Sequence, residues 1–183
     1  DFSHRDDPEF PEVRWNRELE RRDANYKLIL PRAVAIFVDS EMSKKNAIQR
    51  YGVNEDRIFI VPFEAAESTR NVIDLGLDID KKEQIIKKYN IKFPYVYYPA
   101  QFWAHKNHIY LLEGLKAIDE RYGLKVGAIF SGGDKGNRDH VEKYVKNLGL
   151  DDRICFAGFV ENDEVTKLYQ QSLALVMPSY FGP

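Results

Sequence analysis

Three times in the second half of this chain a short apolar run gives way, through a brief polar loop, to a segment whose apolar residues recur at helical spacing. FPYVYYPA (93–100) leads through QFWAHKN to a segment over about 107–121 with Leu111, Leu112, Leu115 and Ile118 on one side. KVGAIF (125–130) leads through SGGDKGN to Val141, Tyr144, Val145 and Leu148. RICF (153–156) leads through AGFVEND to Val165, Leu168 and Tyr169, and a fourth run, LALVM (173–177), ends in PSYFGP. Runs this short and continuous predict strands buried on both faces. With a helix in every link, successive strands lie parallel and helices cover both faces of the sheet. The fold class is therefore α/β, with parallel, Rossmann-like sheets.

The first part of the chain alternates less regularly. Trp15, Leu19, Tyr26 and Leu30 fall at helical spacing, and Pro31 ends or kinks that helix. AVAIFVDS (33–40) reads as a buried strand, after which Ser40 caps a helix over 41–51 closed by Gly52. RIFIVPF (57–63) is the next strand, stopped by Pro62. Residues 64–79 are polar and without period, which marks a linker, and a short helix follows with Ile85, Ile86 and Tyr89 on one face.

Composition removes several function classes. Lysine and arginine number 27 against 29 aspartates and glutamates, so bulk charge gives no reason to expect nucleic acid. Cys155 stands alone, which excludes a disulfide framework and suits a reducing compartment. No apolar run is long enough to span a bilayer, and none reads as a secretory leader, which means little in a chain that opens on Asp1. The chain opens on Asp1 and reads as a piece of something longer. Arg14, Arg17, Arg21 and Arg22 interleave with Glu18, Glu20 and Asp23, the pattern of a solvated helix face and not of a lipid patch.

In open parallel sheets, ligands bind beyond the carboxyl ends of the strands. That rule selects residues 100–107, 131–136, 157–162 and 178–183, which are also the most unusual segments in the sequence. Gln101, Trp103, His105, Lys106, Asn107 and His108 crowd hydrogen-bonding side chains into a connection that needs none of them. Lys106 precedes a helix, where a cation opposes the helix dipole unless an anion is present, and phosphate would supply one. Asn107 is the expected cap of that helix. Gly132 and Gly133 allow close backbone approach, and the helix after them would present free N–H groups to an anion. Neither GxGxxG nor GxxxxGK[ST] occurs there. His105 and His108 have the spacing of metal ligands, but no third ligand is placed beside them, so no metal is expected.

Taken together and in order, YPAQFWAHKNHIYLLEGL, SGGDKGN, LGLDDRICFAGFVENDEVTKLYQQS and ALVMPSYFGP resemble the donor domain of retaining GT-B glycosyltransferases. More narrowly they resemble the family-4 group in its bacterial polysaccharide-building branches. FVDSEMSKKNAIQRYGVNEDRIFIVPFE resembles the last strand–helix–strand of that family's acceptor-binding domain, and DFSHRDDPEFPE the segment just after its His-Asp pair, with Asp1 as the Asp. The resemblance implies two Rossmann-like domains facing across a cleft. Residues 1–65 would end the acceptor-side domain, 66–92 form a linker and connecting helix, and 93–183 make a truncated nucleotide-sugar donor domain. It implies transfer of a sugar from a nucleoside diphosphate to a saccharide or lipid-linked acceptor, without cofactor or metal. The location implied is cytoplasmic, with peripheral association at the inner membrane face left open.

Residue by residue, the family's donor loop carries an Arg and a Lys five positions apart. Gln101 stands at the first and Lys106 at the second, so one formal positive charge is missing. Lys106 is the residue the resemblance assigns to catalysis, with Gln101, Lys106 and the backbone at Gly132 and Gly133 on the diphosphate. Phe159, Val160 and Asn162 match the turn that contacts base and ribose. The His before Asp1 and the family's Glu-x7-Glu motif, whose first position falls at Gly182, are not found. The chain is thus expected to be an internal fragment that transfers no sugar alone, and turnover by the purified 183 residues would overturn this. The alternatives are a nucleotide-sugar epimerase or a glycogen-type synthase or phosphorylase of similar fold, and a degenerate module that only binds partners. A flavodoxin-like regulator would require acidic or flavin-contacting loops, against which Lys106 and the linker argue.

Overall fold

The computed structural model describes residues 2–64 and 79–181, which fall into two compact units at that division. The expected linker lies, but for its ends, outside the described residues.

In the first unit, helices α1 (Ser3–Asp6), α2 (Pro11–Arg14) and α3 (Glu18–Ile29) precede β1 (Ile36–Val38), α4 (Glu41–Tyr51) and β2 (Ile58–Ile60). The two strands are parallel, with Ile36 beside Ile58 and Val38 beside Ile60. α4 begins and ends as its sequence requires: the Ser40 hydroxyl accepts the Ser43 N–H, and Gly52 takes the left-handed conformation at φ 62°. Ala47 and Tyr51 from α4 join Val53 and Ile58 in a small core. Two expectations change here. AVAIFVDS is a three-residue strand with Phe37 71% exposed, because nothing among the described residues of this unit covers that side of the two-stranded sheet. Trp15 lies outside α3 and is also exposed, since Asn16 and Arg17 both adopt positive φ and break the helical stripe before Glu18.

The second unit contains α5 (Ile79–Lys88), β3 (Tyr95–Pro99), α6 (His108–Tyr122), β4 (Gly127–Ser131), α7 (Arg138–Leu148), β5 (Ile154–Gly158) and α8 (Asn162–Gln171). β3, β4 and β5 pair in that order, all parallel. After α8 the chain crosses to the free side of β3. There Tyr97 donates its N–H to Ala174 O, and Leu173 and Val176 donate theirs to Tyr95 O and Tyr97 O. The expected fourth strand is present as this short parallel ladder, and β3 becomes an interior strand.

Alternation along the strands divides the core. Val96, Tyr98, Ala128, Phe130, Ile154 and Phe156 face Leu111, Leu112 and Leu115 of α6 and Val141 and Val145 of α7. Tyr95, Tyr97, Ile129, Cys155 and Ala157 face the opposite way, toward Ile85 of α5 and Leu168 of α8. Side chains on successive strand residues point to opposite faces, and helices on both sides bury them. Phe130, Ile129 and Leu112 are fully buried, each contributing about 1.5–3 kcal/mol relative to exposure.

Candidate functional site

β3 leads on one side to β4 and is flanked on the other by residues 173–176, so strand order reverses at β3. Crevices outside the carboxyl ends of strands at such a reversal are where open α/β sheets bind ligands. The loop after β3 and residues 178–181 meet at this point and are bonded together. Tyr98 donates its phenolic proton to Lys106 O at 2.8 Å, so the Ser179 hydroxyl, also 2.8 Å away, donates to Tyr98. Asn107 Nδ2 donates to Pro178 O, and the Tyr180 N–H to His105 O at 2.9 Å. The His105 ring stacks on Phe181 with centroids 4.1 Å apart.

Lys106 ends the 3-10 turn Ala104–Lys106 and is only 7% exposed. Burial pushes its ammonium below the usual lysine range, because a low-dielectric surrounding disfavours the charged form. A charge in such a place interacts strongly with any anion brought beside it. Asn107, expected to cap α6 with its side chain, does otherwise. It sits at the cap position in the left-handed conformation (φ 52°, ψ 43°), and its amide reaches Pro178 instead of the helix. His108, the first residue of α6, is fully buried, stacked on Phe102 at 4.5 Å and beside Tyr98 and Phe130. Among the described residues neither of its ring nitrogens has a hydrogen-bond partner, and desolvation, with the Lys106 charge nearby, lowers its pKa to about 4. Among the described residues no three His, Cys, Asp or Glu side chains gather, and His105 and His108 each face aromatic rings.

The loop after β4 is locked to the loop after β3. Gly132 has φ 133°, and a Cβ there would lie 2.5 Å from Ala100 O. Its N–H donates to Gly158 O at 2.7 Å, and the Phe102 N–H donates to Gly133 O at 3.0 Å. Gly132 is thus demanded by the neighbouring backbone and its amide is engaged within the protein, whereas a Cβ at Gly133 would meet open space. The helix terminus expected to be free after the glycines is partly taken by the chain itself. Asp134 Oδ1 accepts the N–H groups of Gly136 (2.8 Å) and Arg138 (3.3 Å) at the start of α7, and those bonds hold its carboxyl below the usual range.

Gln101 is exposed, and its Oε1 accepts the Trp103 Nε1–H at 2.9 Å. In the loop after β5, Gly158 turns with φ 67°, Phe159 is 83% exposed and Asn162 opens α8 at the surface. The Val160 side chain is buried with Leu168 and is turned into the core. The carboxyl edge therefore gathers Gln101, Lys106, Gly132, Gly133, Phe159 and Asn162 on mutually bonded loops. Sequence reasoning did not single out Tyr98, Ser179 or Lys135. Tyr98 holds the Lys106 turn through its hydroxyl and is itself held by Ser179 from far along the chain, while Lys135 was visible as the cation inside SGGDKG. A cavity of about 280 Å³ at the amino end of the strands, lined by Tyr89, Lys92, Asp151 and Arg153 among others, shares no residue with these loops. Among the described residues no helix is long and apolar enough to cross a membrane.

Comparison with known proteins gives this arrangement a family. An uncharacterized glycosyltransferase of Methanocaldococcus jannaschii is 35% identical over 74 residues, 40% of this chain and 18% of that protein. The fold is that of GT-B glycosyltransferase structures. A glycosyltransferase from Rickettsia africae superposes with a TM-score of 0.68 at 19% identity, over 87% of this chain and 41% of its own. Anabaena HepE in complex with UDP and glucose gives 0.70 at 16% identity, over 86% and 42%. The chain spans about a fifth of the curated relative's length and under half of either structure's. The family model described as glycosyl transferases group 1 matches residues 80–183, more than half of the sequence and all of the loops just described, and the chain belongs to that family.

Proposed function

We propose that residues 79–181 carry the nucleotide-sugar site of a retaining glycosyltransferase of the family-4 type, which transfers a hexose to a saccharide or lipid-linked acceptor. The observation that carries this reading is the burial of Lys106 at the point where strand order reverses, on a turn tied down by Tyr98, Ser179 and Asn107. A lysine is rarely buried, and here its surroundings are built to hold it. The diphosphate would lie along this edge, with Lys106 on a phosphate, the Gly133 N–H as a neutral donor, and base and ribose at Phe159 and Asn162. When the sugar–oxygen bond breaks, its electron pair stays on the diphosphate. A cation already in place, in surroundings that hold little water, stabilises that charge most where it develops. Lysine and backbone N–H groups meet the charge in this reading without a metal. A saccharide or lipid-linked acceptor and a cytoplasmic site of action complete the reading.

Titration of the chain with UDP, GDP, ADP and dTDP tests the site, with UDP first because it is what the similar HepE structure holds. One nucleotide is expected to bind measurably, and Lys106→Ala to weaken it about ten- to hundred-fold, the loss of a charge-assisted hydrogen bond. EDTA is expected to change neither affinity. Equal binding by wild type and variant would remove Lys106 from the site. No binding by a folded wild type would favour the degenerate module.

A further inference from the structure

The described loops on the carboxyl edge carry two lysines, Lys106 after β3 and Lys135 after β4, and none follows β5 or residues 173–176. The two are held differently. Lys106 is buried, whereas Lys135 is exposed and its Nζ lies 5.6 Å from the centroid of the Trp103 ring. Trp103 in turn donates its indole N–H to Gln101. An ammonium from one loop thus rests on the face of an indole from the other, and the indole is fixed by its edge. The backbone beneath is set from several sides: Phe102 bonds to Gly133 and bridges to Asp134, Gly132 leaves no room for a Cβ against Ala100, and Asp134 fastens the turn that carries Lys135.

On the donor-site reading given above, we propose that Lys135 is the second phosphate-binding cation of this site, and that Trp103 and Gln101 form the rest from which its ammonium moves onto the diphosphate. Each phosphate of a nucleotide sugar carries one ionised oxygen, and release adds most of a further charge to the terminal one. Lys106 alone leaves a phosphate unmatched. The start of α7 is a poor second site, because the Asp134 carboxylate already accepts the Arg138 N–H there and sets a negative charge beside it. Arg138 does not serve either: it is paired with Glu142 at 2.7 Å, and its guanidinium lies over Phe102 and Phe156. Gln101 is neutral, and its acceptor oxygen is given to the indole. Lys135 is left as the nearby cation with a side chain that can swing. An exposed cation–π contact holds an ammonium only weakly, and a phosphate oxygen holds it better, so the exchange runs toward the ligand.

The test is titration of the chain with UDP, inorganic pyrophosphate and uridine. Lys135→Met is expected to weaken UDP and pyrophosphate about ten- to hundred-fold, to leave uridine unchanged, and to make UDP binding less sensitive to salt. Lys135→Arg is expected to restore most of the affinity. In a Trp15→Phe background, where Trp103 is the remaining indole, pyrophosphate should change the Trp103 emission as the ammonium leaves it, and Lys135→Met should abolish that change. Unaltered UDP binding in Lys135→Met, or an equal loss for uridine and UDP, overturns this assignment while leaving the nucleotide site standing. A folded wild type that binds neither UDP nor pyrophosphate overturns both.

Discussion

Gly132→Ala is expected to lower the melting temperature of the second unit by roughly 10–20 °C and to abolish nucleotide binding. The added Cβ would meet Ala100 O at 2.5 Å, Ala100 C at 2.6 Å and Gln101 N at 2.8 Å, all backbone atoms that cannot rotate away. The φ of 133° adds strain of its own, since an L side chain rarely adopts it. Together these cost about 3 kcal/mol or more, at the upper end of single-substitution effects. The loops after β3 and β4 would have to part, breaking the Phe102–Gly133 and Gly132–Gly158 bonds that bring Lys106 and Gly133 to one edge. Gly133→Ala is the matched control: its Cβ meets no atom within 4 Å, and the change is expected to cost less than about 1 kcal/mol. Thermal melts and UDP titrations of the two variants compare them directly. Equal melting temperatures would show that the loops are not fastened through Gly132.

A second large effect is expected in acid. His108 is neutral in the folded protein, with its pKa lowered from 6.5 to about 4, chiefly by burial and then by the Lys106 charge. In the unfolded chain it takes up a proton near its ordinary value. Between those two pH values the unfolded state therefore binds more protons, and stability falls as pH falls. The contribution is complete above about pH 6.5, is lost progressively toward pH 4, and amounts to about 3 kcal/mol over that window. Asp23, held low by Arg5 and Lys27, acts in the same direction but mainly below the ordinary carboxylate range, so the interval down to pH 4.5 isolates the histidines. His4, buried against Tyr51 with its pKa also lowered, belongs to the first unit. His108→Phe keeps the stack on Phe102 and removes two ring nitrogens that have no partner. Urea titrations at pH 7 and 4.5, followed by a second-unit signal, are expected to differ strongly for wild type and little for the variant. An undiminished pH dependence in His108→Phe would place the acid sensitivity elsewhere.

The pattern of short apolar runs and amphipathic segments was enough to predict the parallel strands of the second unit, the last of them present as the short ladder at 173–176, the helices between them and the edge at which the unusual loops gather. What could not be read there has a common cause, namely contacts made between segments far apart in the sequence. Asn107 has the composition of a helix cap, but Pro178 draws its side chain away. Gly132 looked like a concession to a ligand, and the backbone at Ala100 is what requires it. Asp134 is the exception, since its bonds to the Gly136 and Arg138 N–H groups are local, and an aspartate just ahead of a helix is a signal the sequence did carry. The apolar run at 33–40 signalled a strand but not what covers it, which is why the exposure of Phe37 came only from the structure. Lys106 and the glycine loop were found by residue type together with their place after the strands. The tie between Lys135 and Trp103 was not, because neither residue carries a local signal of the other.

The crossing that places residues 173–176 beside β3 also sets an order of assembly. β3 pairs with β4 from the moment the nearer half of the domain is available, but its other edge stays unsatisfied until the last segment has been made and has returned across the sheet. Closing that long loop carries the largest entropic cost in the domain and so belongs late in folding. Ser179 and Pro178 arrive with it, and with them the bonds to Tyr98 and Asn107 that hold the Lys106 turn. Folding intermediates of this unit would thus possess the sheet before they possess the lysine's setting, and ligand affinity would be the last property to appear as the chain matures.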